Sequence, residues 1–492
     1  MSAAERSTAP GGAPSGGRAE AAEFAGRRAL VMGLGLFGGG AATARFLAGR
    51  GARVVVTDLR SREALAPAIE ALGEAAAKIE FVLGEHRESD FTTVDLVVAN
   101  PAVAPDHPLL AAARAAGVRV TSEMELCLER CAARTAAITG TQGKSSTTTM
   151  AAQLCTHAGL RAHLGGNVGK PLVESAAAFS SSDRAVLELS SYQLDALAPR
   201  LARGGFECVR VLALTNVLHD HLARHGGPEG YAAAKARLFD LPARTGERAT
   251  VIVPARGLPA QVERALAQRA DRLEVVRFDA SARRHPEAAL FLEAGGFRFG
   301  AQRLRRIADP PLPREFQREN ALVALGIAHR LGASADALAA SVHRLRGLPH
   351  RLEDLGTFAG RRVYDNGVST TPDSTLSALQ SLSPGVVLLV GGQDKELAWD
   401  DLARATAARA DTVIVYGGSA ARVAPAFRAA SARCVQVSSL REAVESAFEA
   451  ASEGATILFS PACASFDAYL NFEARAADFR SLIAERAAGV RA

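Results

Sequence analysis

The chain has 492 residues, of which 48% are hydrophobic and 22% are charged, a balance typical of a folded globular protein with roughly three domains. This composition excludes a disordered chain, a collagen-like fibre and a coiled-coil rod. The net charge of +5 is small for the length, and the 5% of aromatic residues gives no sign of a base-stacking surface, so a nucleic-acid partner is not expected.

Residues 1–23 contain almost no large apolar side chains, and we expect a disordered extension rather than a signal peptide. No run of 18 apolar residues occurs in the chain, so we expect no transmembrane helix. The six cysteines include no C-x-x-C pair, and we expect reduced thiols in the cytoplasm.

The first predicted unit, residues 24–127, alternates strands with helices. We predict strands at 29–32, 53–57, 96–99 and 118–121, and a helix at 41–49. A glycine-rich turn, Gly33 to Gly38, follows the first strand, and Asp58 comes about twenty residues later. Such a turn brings backbone amides towards a diphosphate. A nicotinamide or flavin site, another nucleotide diphosphate and a structural turn all stay open.

The second predicted unit, residues 128–346, contains a sharper motif. A strand at 136–139 is followed by a loop from Gly140 to Ser146 and a helix at 146–158; further strands are predicted at 185–189, 209–215, 250–253 and 275–278. In this context the loop amides cradle phosphate, the Lys144 ammonium offsets phosphate charge and the Ser145 hydroxyl can bind Mg²⁺.

Lysine is scarce in this chain, which otherwise uses arginine for positive charge. It occurs only at positions 78, 144, 170, 235 and 395. A retained lysine therefore indicates a need for a compact ammonium or a deprotonatable amine, which arginine does not provide.

Two more polar stretches follow the phosphate loop. Glu188 lies near the end of the strand at 185–189 and is a candidate Mg²⁺ ligand. Between Asn216 and Lys235, three histidines lie within seven residues, at positions 219, 221 and 225. A zinc site is one interpretation, but neither cysteine partners nor a clear helical spacing supports it. A shared role with Glu188 in binding metal and phosphate is favoured.

The third predicted unit, residues 347–492, has strands at 386–390, 412–416 and 456–459 between alanine-rich helices. The fold class is therefore α/β with three domains: a Rossmann-like N-terminal domain, a P-loop ATPase-type central domain and a Rossmann-like C-terminal domain.

The order of these motifs resembles the Mur ligase family. The matching stretches are 140–146, 165–169, 187–191, 220–226, 231–235, 347–353 and 460–472, and the resemblance covers about residues 27 to 485. Within the family the chain is most similar to the member that adds D-glutamate to UDP-N-acetylmuramoyl-L-alanine. The resemblance implies a cytoplasmic, monomeric ligase of peptidoglycan precursor synthesis that uses ATP and Mg²⁺ and forms an acyl phosphate.

The resemblance also implies a role for each matched residue. The catalytic residues would be Lys144, Glu188, His221 and Lys235. Mg²⁺ would be held by Ser145, Glu188, His221 and a carbamate on Lys235. ATP would contact Gly140, Thr141, Gln142, Gly143, Lys144, Ser145, Ser146, Gln317, Asn320, Arg351 and Asp365. The UDP-linked acceptor would contact Gly35, Phe37, Gly38, Asp58, Arg60 and Asn167. Glutamate would contact Thr370, Lys395, Ser465 and Phe472.

Three stretches depart from the family pattern. Phe316-Gln317 stands where the family usually has His-Asn, and Asn100-Pro-Ala replaces Ser-Pro-Gly. Asp365-Asn366 inverts the usual Asn-Asp, and Val368 stands where the family has lysine. The loss of that positive charge leaves the stereoisomer of glutamate open.

Four other functions fit these motifs less well. A nicotinamide dehydrogenase leaves the phosphate loop unexplained, and a folylpolyglutamate synthetase lacks the separate domain that precedes this loop. The diaminoacid-adding relative carries Asp-Asn-Pro-Arg, which does not occur here. A non-catalytic scaffold has no need to keep Lys144, Glu188, His221 and Lys235.

Overall fold

The computed structural model describes residues 23–36, 38–218, 222–244, 246–281, 284–293, 296–299, 302–303, 315–394 and 397–489. The chain divides into two compact units, Met1–Leu345 and Arg346–Ala492. The expected extension at 1–23 lies outside the described residues except for Glu23.

The first unit begins with a five-stranded parallel sheet. Its strands are β1 (Arg28–Met32), β2 (Arg53–Asp58), β3 (Ile79–Leu83), β4 (Leu96–Ala99) and β5 (Arg119–Thr121), in the order β3-β2-β1-β4-β5. Its helices are α1 (Gly39–Gly49), α2 (Ala66–Glu70), α3 (Glu88–Thr92), α4 (Pro108–Ala115) and α5 (Glu123–Arg130). Strands such as β4 are apolar along their whole length because they are buried on both faces.

A nine-stranded sheet follows in the same unit, in the order β14-β13-β12-β11-β10-β9-β6-β8-β7. Its strands are β6 (Arg134–Thr139), β7 (Ala162–Gly166), β8 (Arg184–Glu188), β9 (Val209–Leu214), β10 (Ala249–Pro254), β11 (Leu273–Asp279), β12 (Ala288–Glu293), β13 (Gly296–Phe299) and β14 (Gln302–Arg303). Its helices are α6 (Lys144–His157), α7 (Ser191–Arg203), α8 (Leu222–His225), α9 (Pro228–Ala236), α10 (Ala260–Ala267), α11 (Glu315–Arg330) and α12 (Ala335–Ser341). The sheet is parallel from β6 to β12, and β13 and β14 run antiparallel to their neighbours.

The second unit contains a six-stranded sheet in the order β15-β16-β20-β17-β18-β19. Its strands are β15 (Glu353–Phe358), β16 (Arg361–Asp365), β17 (Val386–Gly391), β18 (Ala410–Tyr416), β19 (Cys434–Gln436) and β20 (Thr456–Ala462). Its helices are α13 (Pro372–Gln380), α14 (Asp400–Arg409), α15 (Ala420–Ala429), α16 (Leu440–Ala450) and α17 (Phe472–Gly489). Only β15 pairs antiparallel; the other five strands are parallel.

Each strand predicted from the sequence is present, and its ends differ from the predicted ends by at most three residues. The helix predicted at 146–158 starts two residues earlier, at Lys144, so the phosphate-loop lysine is itself helical. Strands β3, β7, β12, β13, β14, β15, β16 and β19 were not predicted. In β3, β7 and β16, charged residues or glycines interrupt the apolar pattern. Among the described residues, no helix is both long and apolar enough to span a bilayer. The six cysteines form no disulfide.

Candidate active site

The loop after β6 has the shape that its glycines require. Gly143 precedes α6 with φ of 79°, and a Cβ there would lie 2.4 Å from Oδ1 of Asn320. A Cβ on Gly140 would lie 1.9 Å from the Thr215 hydroxyl oxygen. Glycine is therefore the residue that lets the loop pass this close to β9 and α11. The amides of the first turn of α6 then face the loop, as an anion site requires.

Asn216 fixes this loop from the neighbouring strand. Its side-chain oxygen accepts hydrogen bonds from the amides of Thr141 (3.1 Å) and Gln142 (2.9 Å), and its side-chain nitrogen donates to the Gln142 carbonyl. Lys144 donates from Nζ to the Thr141 carbonyl at 2.9 Å. The loop is therefore shaped before any ligand binds. In the sequence Asn216 stands at the edge of a polar stretch, and no local signal there indicates this role.

Glu188 ends β8, the strand next to β6, and its side chain is 1% exposed. Oε1 accepts a hydrogen bond from Nδ2 of Asn167 at 2.9 Å. Oε2 is buried and has no hydrogen-bond partner among the described residues. A buried carboxylate oxygen without a donor is costly unless a cation occupies the site. This oxygen beside the phosphate loop fits a Mg²⁺ ligand.

Lys235 reaches the same loop from α9. The side chain is 1% exposed, and Nζ donates a 2.6 Å hydrogen bond to the Gly140 carbonyl. The ammonium also lies 4.5 Å from the centre of the Tyr231 ring, and the Tyr231 hydroxyl lies 3.2 Å from that of Thr141. The structure thus places Lys235, the last residue of the 216–235 stretch, beside the phosphate loop. His219 and His221 lie outside the described residues.

His225 is held by protein groups. Its Nδ1 lies 3.2 Å from the Asp195 carboxylate, and its Nε2 lies 3.0 Å from the Ser191 hydroxyl. Both ring nitrogens therefore have partners, which removes His225 from the zinc interpretation. The neighbouring Arg224 donates to the carbonyls of Ala102 (3.2 Å) and Val103 (3.1 Å), which belong to the loop after β4.

Helix α11 brings two predicted nucleotide contacts to the other side of the loop. Asn320 is 8% exposed and accepts a hydrogen bond from the Thr147 hydroxyl at 3.4 Å. Gln317 is also buried, and its Oε1 has no hydrogen-bond partner among the described residues. Ser145 and Ser146 lie in the first turn of α6, and Ser146 is buried. Gln317 thus offers an unused acceptor near the phosphate loop, where the family usually has an asparagine.

The glycine-rich turn after β1 is held by two polar side chains. Asp58 accepts hydrogen bonds from the amides of Gly35 (3.3 Å) and Arg60 (3.0 Å), so each of its oxygens supports the backbone. Asn100 lies against Gly33, where φ is 87° and a Cβ would come within 2.9 Å of the Asn100 Cβ. Gly38 precedes α1 with φ of 86°. Phe37 lies outside the described residues, and Arg60 is exposed.

In the second unit, Asp365 ends β16 and is completely buried. Its Oδ2 lies 2.7 Å from Nδ1 of His350 and accepts from Nε of Arg480 at 2.8 Å, while Oδ1 accepts from the Gly367 amide. Arg480 also donates to Glu353 at 2.5 Å. His350, Glu353 and Asp365 are close enough to hold a metal ion, but the Arg480 guanidinium already lies among their carboxylates. We therefore assign this group to an ion-pair network.

Four more of the predicted residues of this unit lie in the described part of the chain. Arg351 stands between two non-glycine residues with positive φ, His350 (60°) and Leu352 (46°), a strained backbone of the kind found at functional sites. Phe472 begins α17, with its ring centre 6.3 Å from that of His350. Ser465 is buried and Thr370 is half-buried. Lys395 lies outside the described residues.

Three family models match the chain in succession. Residues 27–122 match the MurD-like N-terminal domain of Mur ligases, residues 138–328 the Mur ligase middle domain, and residues 350–463 the Mur ligase glutamate ligase domain. The chain is 34% identical to the UDP-N-acetylmuramoylalanine–D-glutamate ligase of Desulfatibacillum aliphaticivorans, over 93% of this chain and 98% of that protein. The enzyme of the same name from Geobacter metallireducens is also 34% identical, over 94% and 98%.

Solved structures show the same fold at low identity. UDP-N-acetylmuramate-alanine ligase MurC from Thermotoga maritima has a TM-score of 0.57 and 18% identity, covering 93% of this chain and 99% of that chain. A bifunctional folylpolyglutamate synthase/dihydrofolate synthase with Mn, AMPPNP and L-glutamate bound has a TM-score of 0.52 and 17% identity, covering 73% and 91%. At this identity the likeness concerns the fold alone.

Proposed function

The chain belongs to the Mur ligase family, and we propose that it joins D-glutamate to UDP-N-acetylmuramoyl-L-alanine, the reaction for which its curated relatives are named. It is an ATP-dependent ligase that forms a carbon–nitrogen bond in peptidoglycan precursor synthesis. The observation that carries the proposal is the convergence of Lys144, Glu188 and Lys235 on one phosphate loop, with both carboxylate and ammonium groups buried beside it.

The chemistry follows from the poor reactivity of a carboxylate. Its oxygen is a poor leaving group, so ATP first transfers its γ-phosphoryl group to the terminal carboxylate of the acceptor and ADP is released. The neutral amine of glutamate then attacks the acyl phosphate carbon, and phosphate leaves with the electron pair of the C–O bond. The amine loses one proton, which leaves an amide.

The residues of the loop have defined parts in this scheme. The amides from Gly143 to Ser146, which Asn216 does not occupy, would bind phosphate oxygens. Lys144 would move its Nζ from the Thr141 carbonyl to the transferring phosphoryl group. Gln317, Asn320, Arg351 and Asp365 would contact the nucleotide, Asp365 through its network with Arg480. Gly140 and Gly143 keep the loop close to β9 and α11.

Mg²⁺ is the metal that this donor set fits. Glu188 Oε2 is a buried carboxylate oxygen that has no partner in the described part of the chain, and the Ser145 hydroxyl follows the loop lysine. His221 and a carbamate on Lys235 would complete a second position, because the carbamate converts the buried amine to an anionic oxygen ligand. When bound, Mg²⁺ supplies positive charge next to the transferring phosphoryl group.

Each of the three substrates is assigned to one sheet, in the order in which the sheets occur along the chain. We propose that residues 24–127 bind the UDP part of the acceptor through Gly35, Phe37, Gly38, Asp58 and Arg60. Residues 128–346 would bind ATP, with Asn167 towards the muramoyl part. Residues 347–492 would bind glutamate through Thr370, Lys395, Ser465 and Phe472.

The proposed substrates also suggest the setting of the reaction. ATP and UDP-linked precursors are cytoplasmic compounds, and we propose that the chain works there as a monomer.

The test is ADP release by the purified protein. We expect release only when UDP-N-acetylmuramoyl-L-alanine, D-glutamate, ATP and Mg²⁺ are all present. Lys144→Ala should remove this activity, and Lys78→Ala, at an exposed lysine just before β3, should retain it. A preference for L-glutamate would show that the amino-acid substrate is the L stereoisomer. Turnover with a folate acceptor in place of the UDP-linked acceptor would refute the proposal.

A further inference from the structure

Arg475 is a fully buried arginine in the first turn of α17, one helical turn after Phe472. Its exposed fraction is 0%, and it is the largest fully buried side chain among the described residues. No carboxylate pairs with it in the described part of the chain. An arginine side chain stays protonated at any physiological pH, so a permanent charge lies inside this unit.

The guanidinium binds backbone carbonyls. Nη1 donates to Gly391 (3.2 Å) and Ala464 (3.1 Å), and Nη2 donates to Cys463 (3.0 Å) and, at 3.5 Å, to Gly367. Nε is buried and has no partner among the described residues. One side chain therefore contacts three separate segments of the chain.

These three segments leave adjacent strands. The strands β16, β20 and β17 are neighbours in the sheet and run parallel, so their carboxyl ends lie at one edge. Gly367 follows β16, Gly391 ends β17, and Cys463 and Ala464 follow β20. This edge is where ligands bind in open α/β sheets.

The backbone around Arg475 leaves room for it. A Cβ on Gly392, where φ is 128°, would lie 2.7 Å from Nη1 of Arg475 and 2.3 Å from the Ala464 carbonyl oxygen. Ala462, at the end of β20, has a φ of 59°, which a residue with a Cβ rarely adopts. Such strain persists only where the surroundings fix the backbone, and Arg475 bonds the two residues that follow.

We propose that Arg475 is a positioning residue for the amino-acid site: its guanidinium holds together the three strand ends whose loops carry Thr370, Lys395 and Ser465. The inference rests on the proposed function, since those three residues are its glutamate contacts. Arg475 does not touch the substrate in this scheme. It sets the spacing of the loops that do, and it places a buried positive charge beneath a site for a dicarboxylate.

Because Arg475 carries a charge, substitutions at this position can separate a positioning role from a packing role. Replacing the arginine by an apolar residue of similar length removes the desolvation cost of its buried charge together with its hydrogen bonds. Arg475→Met should therefore remain folded while the strand ends lose their common donor. Arg475→Lys keeps the charge but offers a single nitrogen, which cannot reach all four carbonyls in the arginine geometry.

The first experiment measures KM for each substrate in the full-length protein. We expect Arg475→Met to raise KM for glutamate at least tenfold, with KM for ATP and for the UDP-linked acceptor changed less than twofold. Arg475→Lys should fall between this variant and the wild type. Arg441→Met, which removes an exposed ion pair with Glu485, is the control and should change none of the three. Equal increases for glutamate and ATP, or an unchanged KM for glutamate, would overturn the proposal.

The second experiment does not depend on activity. Amide hydrogen exchange in Arg475→Met should accelerate in the segments 366–371, 391–394 and 463–470. Exchange in β18 and α16 should stay unchanged. If the methionine variant does not fold, Arg475→Lys is compared with the wild type instead. Unchanged exchange in those segments would overturn the positioning role. If the wild type shows no glutamate-dependent ADP release, the proposed function fails, while accelerated exchange would still show that Arg475 holds the three strand ends.

Discussion

The ammonium of Lys235 donates a hydrogen bond to the carbonyl oxygen of Gly140, the first residue of the phosphate loop, at 2.6 Å. The lysine is completely enclosed between this carbonyl and the ring of Tyr231. A buried amine at this distance from a phosphate loop is close enough to act on what the loop binds.

Lys235→Arg should be almost inactive although it keeps the positive charge. The amine can add CO₂ when neutral and become a carbamate, whereas a guanidinium stays protonated. We expect kcat to fall by about 10²–10³-fold, the loss typical of a missing electrostatic group in an active site. Lys235→Ala should regain part of its activity with formate, which can occupy the vacated ligand position. Steady-state ADP release measures both the loss in Lys235→Arg and the rescue of Lys235→Ala. Lys78→Arg, at an exposed lysine, is the control. An active Lys235→Arg enzyme would exclude the carbamate.

Glu188→Gln should raise the Mg²⁺ concentration needed for half-maximal activity by at least tenfold. The glutamine oxygen can still accept from Asn167, but an uncharged amide nitrogen replaces the buried oxygen that has no partner among the described residues. The measurement is kcat as a function of Mg²⁺ concentration. Glu207→Gln, at an exposed turn before β9, is the control. An unchanged Mg²⁺ dependence would contradict the assignment of Glu188 as a ligand.

Gly143→Ala should destabilise the protein more than Gly159→Ala. Both glycines have φ near 80°, so both alanine variants pay a left-handed backbone cost of about 1–2 kcal/mol. The Cβ at 159 enters open space, whereas the one at 143 lies 2.4 Å from Asn320 Oδ1. Chemical denaturation gives the two free energies of unfolding. The excess at 143 should shrink in an Asn320→Gly background; equal losses at both positions would show that the loop can relax.

Glu123→Gln should stabilise the protein at pH 8 and have little effect at pH 4. Burial raises the pKa of Glu123 from 4.5 to about 7, and its Oε1 has no partner among the described residues. Between these two values the folded protein binds more protons than the unfolded chain, so its stability falls as the pH rises. Above pH 7 the full penalty, about 2–4 kcal/mol, applies to the wild type and not to the glutamine variant.

Thermal melts across pH 4–8 test this difference. The exposed Glu74→Gln is the control and should keep the wild-type pH dependence. If Glu123→Gln and the wild type melt in parallel over the whole range, the carboxyl group does not titrate in the fold.

The sequence predicted the strand–loop–helix of the phosphate site because its signals are contiguous. Glycines, a lysine and hydroxyls from 140 to 146 follow an apolar strand, and this order alone indicates a phosphate loop. Strand ends were also predicted well where the strand is apolar throughout, as in β4 and β17.

The contacts that hold the sites could not be predicted in the same way. Asn216 bonds a residue 75 positions away, and Arg475 bonds one 84 positions away. Nothing in the local pattern separates Arg475 from the other arginines of an arginine-rich chain, because its role depends on three strands meeting at one edge. Strand β16 was missed for a related reason: its first two residues are arginines, and only its partners in the sheet make it a strand.

The bonds from Arg224 to the Ala102 and Val103 carbonyls connect the segment after His221 to the loop that supports the glycine-rich turn. Asn100, at the start of that loop, lies against Gly33. A ligand that orders one of these loops should therefore favour the bound conformation of the other loop. Such coupling between two binding sites is reciprocal in free energy. The UDP-linked acceptor should tighten the binding of a non-hydrolysable ATP analogue, and the analogue should tighten the binding of the acceptor by the same factor. The enzyme would then have a thermodynamic preference for the ternary complex over either binary complex.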